Sequence, residues 1–366
     1  MNTKNLIILI LLTVLFAIGA WFVAFNQAPK SAPADGTSQT TPGDRLAPAL
    51  AERGTDAARI VITSGESMTE LTLEGDVWIV ASKAGFPADA DRVRRLMTTL
   101  SELRAVEAKT AIPELHSRLA LNWPDTPEPS DDGFSERPTL VRISDAAGDE
   151  IAAIVLGATS FVGSDSKQYA RMLGEDQTWL TSGKIDTPPN AMGWLSARFI
   201  ELPRESVKSV TISHPNGETL RLTRETGEAD FLIADILDGM AMTNAALANN
   251  SGSALTFVNF TDVDHPSEPT GDAVIAELTT FEGLAITMII TQILENGKTI
   301  EGWAFAAAEG PGSQEINDRF GPFRFRLPLG AIESLTRRPS DLLEEFAPQE
   351  AGPALPDTGL PPPADD

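Results

Sequence analysis

Residues 58–82 read ARIVITSGESMTELTLEGDVWIVAS, and this stretch decides the fold. Apolar side chains alternate through Ile60-Val61-Ile62, Leu71-Leu73 and Val77-Ile79, and Gly65 and Gly75 punctuate the turns between them. A period of two broken by glycines predicts a three-strand meander. Residues 86–108, FPADADRVRRLMTTLSELRAVEA, change the period. Val93, Leu96, Met97, Leu100 and Leu103 fall at helical spacing behind Pro87 and Asp89, which are helix-start residues.

The same order of signals returns downstream. Residues 207–235, VKSVTISHPNGETLRLTRETGEADFLIAD, carry Pro215-Asn216-Gly217 and Gly227 at the matching turns, and a weaker helix follows from about Asn244. In the first copy, residues 137–157 make a hairpin about Asp145–Asp149, residues 168–183 make another about Gly174, and a short helix carries Trp194, Leu195 and Phe199. In the second, residues 273–293, the Asn296-Gly297 turn and residues 299–308 play those roles, followed by FRFRLPLGAIESLTRRPSDLLEE (323–345), whose course parallels LSARFIELP (195–203). A period of about 145 residues is too long for a solenoid. The expected fold is therefore α+β: two related, mostly antiparallel sheet domains with packed helices, a tandem duplication over residues 45–203 and 204–346. Ala285–Ile293, apolar on both faces, is expected at the centre of a sheet or at the domain junction.

Outside the repeats the composition changes sharply. Residues 6–25, LIILILLTVLFAIGAWFVAF, hold no charge, and as a helix would be roughly 30 Å long, the thickness of a bilayer core. This run predicts an N-terminal transmembrane anchor over residues 1–25. A signal peptide would have a shorter apolar core and a nearby cleavage site, whereas Ala32-Pro33-Ala34 lies well past the run. Lys4 before the run, with only Lys30 and Arg45 close behind it, leans toward an inside N-terminus and a periplasmic bulk on a bacterial cytoplasmic membrane. Residues 26–44, with Pro29, Pro33 and Pro42, read as a flexible linker, and residues 347–366 as a disordered, proline-rich, acidic tail.

The chain carries a formal charge of −24, and the part beyond Lys4 carries 27 − 52 = −25. So negative a surface repels phosphate backbones, which argues against nucleic acid as a partner. The absence of cysteine removes disulfides, thiol catalysis and thiolate zinc sites.

The order of motifs resembles the bacterial family known as domain of unknown function 4340. The resemblance is carried by residues 44–62 and 75–121, with Trp78, the Pro87/Asp89 helix start and the Thr110-x-x-Pro113-Glu114 segment. It continues through Leu156-Gly157, Tyr169-Ala170-Arg171, Gln177-Thr178-Trp179-Leu180 and Trp194, and covers roughly residues 44–346. His116 stands where an aromatic such as tyrosine is common, and Asp125–Asp132 forms an acidic insertion. The resemblance implies a membrane-anchored protein often encoded beside gliding-motility-type ABC transporter components, and it brings no catalytic residues.

Asp262-x-Asp264-His265 offers oxygen and nitrogen ligands, but Pro266 follows and Glu268 is the next acid, so a solvated turn is the simpler reading. Gly297-Lys298-Thr299 imitates the end of a phosphate loop, yet Gln292 occupies the first glycine position. Gly183-Lys184 fails in the same way, with Thr178 and Ile185 at the decisive positions. Gly65-Glu66-Ser67-Met68-Thr69 lacks the second glycine of a nucleophile elbow, and Thr181-x-x-Lys184 has no companion motifs. His214 beside its Pro-Asn-Gly turn reads as exposed. Trp78, Trp179, Trp194 and Trp303 read as core aromatics rather than a sugar cleft, and Trp123 as the best candidate for an exposed aromatic.

No catalytic, cofactor-binding or metal-ligating residue is assigned. The expected function is a non-enzymatic, membrane-anchored extracytoplasmic accessory or binding protein, an auxiliary subunit of an ABC-type transport system. The alternatives are a free-standing envelope module binding a glycan or peptide, and a hydrolase.

Overall fold

The computed structural model describes residues 40–123, 137–162, 165–234, 236, 240–267 and 273–345. The first sheet gathers β1 (Ala57–Ser64), β2 (Ser67–Glu74), β3 (Val77–Val80), β4 (Phe86–Pro87), β5 (Ala105–Ala108), β6 (Thr139–Asp145), β7 (Glu150–Val162), β8 (Asp165–Met172) and β9 (Trp179–Thr181). Its spatial order is β4-β3-β2-β1-β6-β7-β8-β9-β5, every pairing antiparallel. The second sheet holds β10 (Val207–Ser213), β11 (Thr219–Thr223) and β12 (Leu232–Ile233). After β13 (Met240–Met242) come its remaining members, β14 (Asp262–Asp264), β15 (Val274–Thr280), β16 (Ala285–Glu295), β17 (Lys298–Glu309) and β18 (Arg324–Arg326). Their order is β12-β11-β10-β15-β16-β17-β18-β14. β13 pairs instead with β19 (Leu343–Glu345) in a two-stranded ribbon.

Apart from β4, which has no counterpart in the second sheet, the two orders match strand for strand. β1 corresponds to β10, β2 to β11, β3 to β12, β6 to β15, β7 to β16, β8 to β17, β9 to β18 and β5 to β14. The irregularities recur as well. A register shift falls between Ala57 and Arg59 in β1, and between Val207 and Ser209 in β10. The next hairpin is closed by Asp145 N donating to Asp149 O (3.0 Å) in one copy, and by Thr280 N donating to Leu284 O (2.8 Å) in the other. The run Ala285–Ile293 forms most of β16, well inside the second sheet.

Among the described residues five short α-helices pack around the sheets: α1 (Pro48–Arg53), α2 (Ala90–Glu102), α3 (Ala245–Gly252), α4 (Ser313–Phe320) and α5 (Leu329–Leu335). The Asp89 side chain accepts from Arg92 N at 3.0 Å and so caps α2, which buries Val93, Leu96 and Leu100 one and two turns apart. Asn244 caps the weaker α3 by accepting from Leu247 N. α4 lies between β17 and β18, where the first copy has only a loop from β8 to β9.

One expectation on fold class needs correction. Among the described residues no helix is long and apolar enough to cross a membrane. The longest, α2, has 13 residues, spans about 20 Å and is apolar on one face only. The described fold is two large, mostly antiparallel sheets with short helices and no transmembrane helix. The expected anchor at residues 6–25, the linker up to residue 39 and the tail from 347 lie outside the described residues.

The described residues from Pro42 onward form one compact unit, and a single continuous cluster of buried side chains runs through both sheets. Its junction is aromatic. Phe86 of β4, 1% exposed, meets the edges or faces of Phe260, Phe323 and Phe325 at centroid distances of 5.4, 5.0 and 5.7 Å. Phe199 joins from the connection between the sheets, 5.1 Å from Phe320 and 5.0 Å from Phe325. That connection runs antiparallel to the segment before β14: Phe199 N donates to Val258 O, Phe260 N to Ala197 O and Leu202 N to Leu255 O.

Candidate functional site

The acid-histidine cluster turns out to be ion-paired. β14 lies against β18, placing Asp262 opposite Arg326 and Asp264 opposite Arg324. Lys83, from the first sheet's side, donates to Asp262 at 2.7 Å, and Arg326 Nη2 lies 3.6 Å from the other oxygen of the same carboxylate. Arg324 donates to Asp264 at 2.6 Å. This contact, with a hydrogen bond from the His265 backbone, holds the Asp264 carboxyl below the usual aspartate range. Both carboxylates are already neutralised by cations. No group of three or more metal-capable side chains occurs among the described residues; Glu268 lies outside them.

Each remaining candidate finds a structural position. Asn296 and Gly297, with φ of +52° and +77°, form the tight turn between β16 and β17, so Lys298 and Thr299 begin a strand. Gln292 donates to Thr299 Oγ1 (2.9 Å) and Thr336 Oγ1 (3.1 Å). Ser67 starts β2 beyond the Gly65 turn. Thr181 is buried, with its hydroxyl 2.8 Å from the carbonyls of Gln168 and Gly183, and the exposed Lys184 follows in the loop.

His214, expected to be exposed, is buried. The segment after α5 covers its hairpin: His214 Nε2 lies 3.2 Å from Arg337 O, and Arg338 pairs with Glu218 of the same hairpin. Trp179 and Trp194 are core residues, and Trp78 is partly buried against the same core cluster. Trp303 is half-buried, with the guanidinium groups of Arg324 and Arg326 at 4.6 and 6.0 Å from its ring. Trp123, expected to be exposed, is also half-buried: it packs on a small second cluster formed by Leu121, Leu140, Ala153 and Val155.

The residues that carry the family resemblance act as internal fasteners. Thr178 Oγ1 accepts from Thr110 N (3.0 Å) and donates to Thr110 O (2.8 Å). His116 is buried, with Nε2 2.9 Å from Asp176 O. Arg171 is buried without a carboxylate in hydrogen-bonding reach. It donates instead to the carbonyls of Leu121 (2.9 Å), Met172 (3.4 Å), Glu175 (3.3 Å) and Trp123 (3.4 Å). Desolvation lowers its pKa, only partly offset by Asp176. Trp194 O accepts from Asp89 N and so ties the cap of α2 to the inter-sheet connection. Thr178, His116 and Arg171 spend their side-chain polar atoms on backbone. They specify a fold.

What sequence reasoning missed is a pair of projecting hairpins. β6 pairs with β7 only as far as Leu156, and β15 pairs with β16 only as far as Ile290. Beyond those points β7–β8 and β16–β17 continue as two-stranded arms, with a register shift near each base (Leu156/Thr159 and Ile293/Leu294). Their outer parts carry apolar side chains in solvent: Phe161 is 79% exposed, and Ile293, Leu294 and Ile300 are 50–60% exposed. The signal was available, since Ile293 and Leu294 on one strand and Ile300 on the other stand close behind the polar Glu295–Lys298 turn, where a solvated hairpin would carry polar residues. A shallow groove of about 590 Å³ lies beside Pro87 and α4, lined by Gln314, Glu315, Asp318 and Arg319.

These features define a class: a tandemly duplicated antiparallel-sheet scaffold with one shared core and two projecting arms. The chain belongs to the family described as Domain of unknown function (DUF4340), whose model matches residues 78–268, just over half of the sequence. The match runs from β3 to just past β14, so it takes in parts of both sheets and the first arm, while the second arm lies beyond it. No curated protein matches the chain.

Proposed function

We propose that this protein is a non-enzymatic accessory or binding subunit working at the outer face of a bacterial cytoplasmic membrane, as an auxiliary component of an ABC-type transport system. The observation that carries the reading is the division of labour among its side chains. The polar residues that mark the family fasten backbone to backbone inside the fold, whereas apolar side chains stand in solvent on the projections of both repeats, Phe161 on the first and Ile293, Leu294 and Ile300 on the second, besides single exposed ones elsewhere such as Phe257. A scaffold that holds apolar projections in water suits contact with another macromolecule. The location is supported by the apolar composition of residues 6–25 and the charge before and after them. The transport-system partner is supported by the family resemblance alone.

The test is chemical cross-linking in intact membranes followed by purification of this chain and identification of what is bound. The reading expects ABC-type membrane components in fixed ratio to this chain. Recovery of the chain alone, with a glycan or peptide bound to its isolated soluble part, would replace it with the free-standing envelope module. Deletion of the second repeat is a poor control, because it would strip Phe86 of three ring partners and unfold the first. Point variants are required.

A further inference from the structure

We infer that the two arms are the docking surface of this protein, and that their partner is a protein presenting an apolar groove with a basic rim. The inference rests on the accessory reading above and names the surface through which it would operate.

Each arm carries a glutamine and a glycine at its base, on opposite strands of the hairpin in the two cases. At the base of the first, buried Gln168 donates from Nε2 to Gly157 O (3.0 Å) and accepts at Oε1 from Ile185 N (3.0 Å). At the base of the second, Gln292 reaches across to Thr299 and out to Thr336. Each base also carries a glycine pressed against a neighbouring segment. A Cβ on Gly157 would stand 2.2 Å from Leu119 O, and one on Gly302 would stand 2.6 Å from Ile332 Cγ1. The arms are thus clamped where they leave the sheets and carry exposed apolar side chains beyond the clamp, Phe161 on the first and Ile293, Leu294 and Ile300 on the second. Ordered, solvated aliphatic side chains on a clamped projection favour association, because little conformational entropy remains to be lost on binding.

Charge selects among the possible occupants. Two copies of a chain at −24 repel each other, which disfavours self-association, and the same charge disfavours an anionic bilayer. The second arm carries no tryptophan or tyrosine of the kind that seats a loop at a lipid interface before Trp303 at its foot, and only one lysine, Lys298, set against Glu295 across the turn. An apolar groove edged with lysine and arginine satisfies both terms: the groove takes Ile293, Leu294, Ile300 and Phe161, and the rim is drawn by the acidic body behind them.

The experiment places a photo-cross-linking amino acid, benzoylphenylalanine, at position 161, 294 or 300 of the full chain in its native membranes, with the exposed Met68 as control position. The inference expects one protein cross-linked from both arms and not from position 68. The attachment should map to an apolar segment flanked by lysine or arginine, and the yield should fall in 0.5 M salt. Leu294→Glu combined with Ile300→Glu should weaken co-purification about a hundredfold. Phe161→Ser is the milder companion, and an unchanged melting temperature checks each fold. Cross-links to lipid, to a second copy, or equally from position 68 would overturn the inference. If the complex forms but the arm variants leave it intact, the arms fall and the accessory function stands. If no complex forms, both fall.

Discussion

Replacing Phe86 by alanine tests whether the two repeats share one core. Phe86 is almost wholly buried, and its three closest ring partners, Phe260, Phe323 and Phe325, all belong to the second repeat. Truncating a buried phenylalanine costs about 3–5 kcal/mol through lost transfer energy and the cavity left behind. Edge-to-face partners add roughly 0.5–1.5 kcal/mol beyond area, so about 4 kcal/mol is expected. In a unit of this size that lowers the melting temperature by roughly 8–12 °C. The assay is calorimetry of the full chain together with urea unfolding read by tryptophan fluorescence, since Trp179 lies in the first sheet and Trp303 in the second. One cooperative transition moving as a whole is expected, and Phe86→Ala with Phe325→Ala should cost less than the sum of the singles by about 1 kcal/mol. Two transitions, with only the first repeat's moving, would refute the reasoning.

Arg171→Ala should destabilise by about 3 kcal/mol, because four carbonyls lose a charged donor and at least one stays buried; denaturant unfolding measures it. Gly252→Ala should cost about 1–3 kcal/mol, since the added Cβ would fall 2.0 Å from Phe231 Cε2 in the core, and the same titration checks it. The Asp264 carboxyl is held below its ordinary value by Arg324 and the His265 backbone, so its contribution to stability is complete above the unfolded pKa of about 3.9 and is lost as pH falls through the lower folded value. Asp264→Asn should therefore flatten the stability profile below about pH 4 and lower the plateau above it, as acid-titrated melting would reveal.

Much of the architecture was legible. The alternation in 58–82 and its return in 207–235 give β1–β3 and β10–β12, and Asp89 marks the start of α2. What stayed hidden depends on long-range packing. His214 sits beside a turn, and its local sequence carries no trace of residues 336–338, more than a hundred positions away, that fold over it. Trp123 sits in a polar stretch, yet leans on a satellite cluster assembled from β6 and β7. The ion pairing of Asp262 requires Lys83 from the other repeat, and no motif of local spacing can announce such a partner. The arms were missed for a different reason: strand patterns reveal which residues alternate, but not where a neighbouring strand stops.

The central claim is that the duplicated sheets serve to hold two arms against a partner. Amide hydrogen exchange of the full chain, purified and in its native membranes, tests it most directly. The claim predicts that amides in 157–161 and 291–302 exchange more slowly in membranes than in the purified protein, while the exposed turn at Gly65 exchanges alike in both. Equal exchange at the arms in the two states, or protection confined to some other surface, would contradict it.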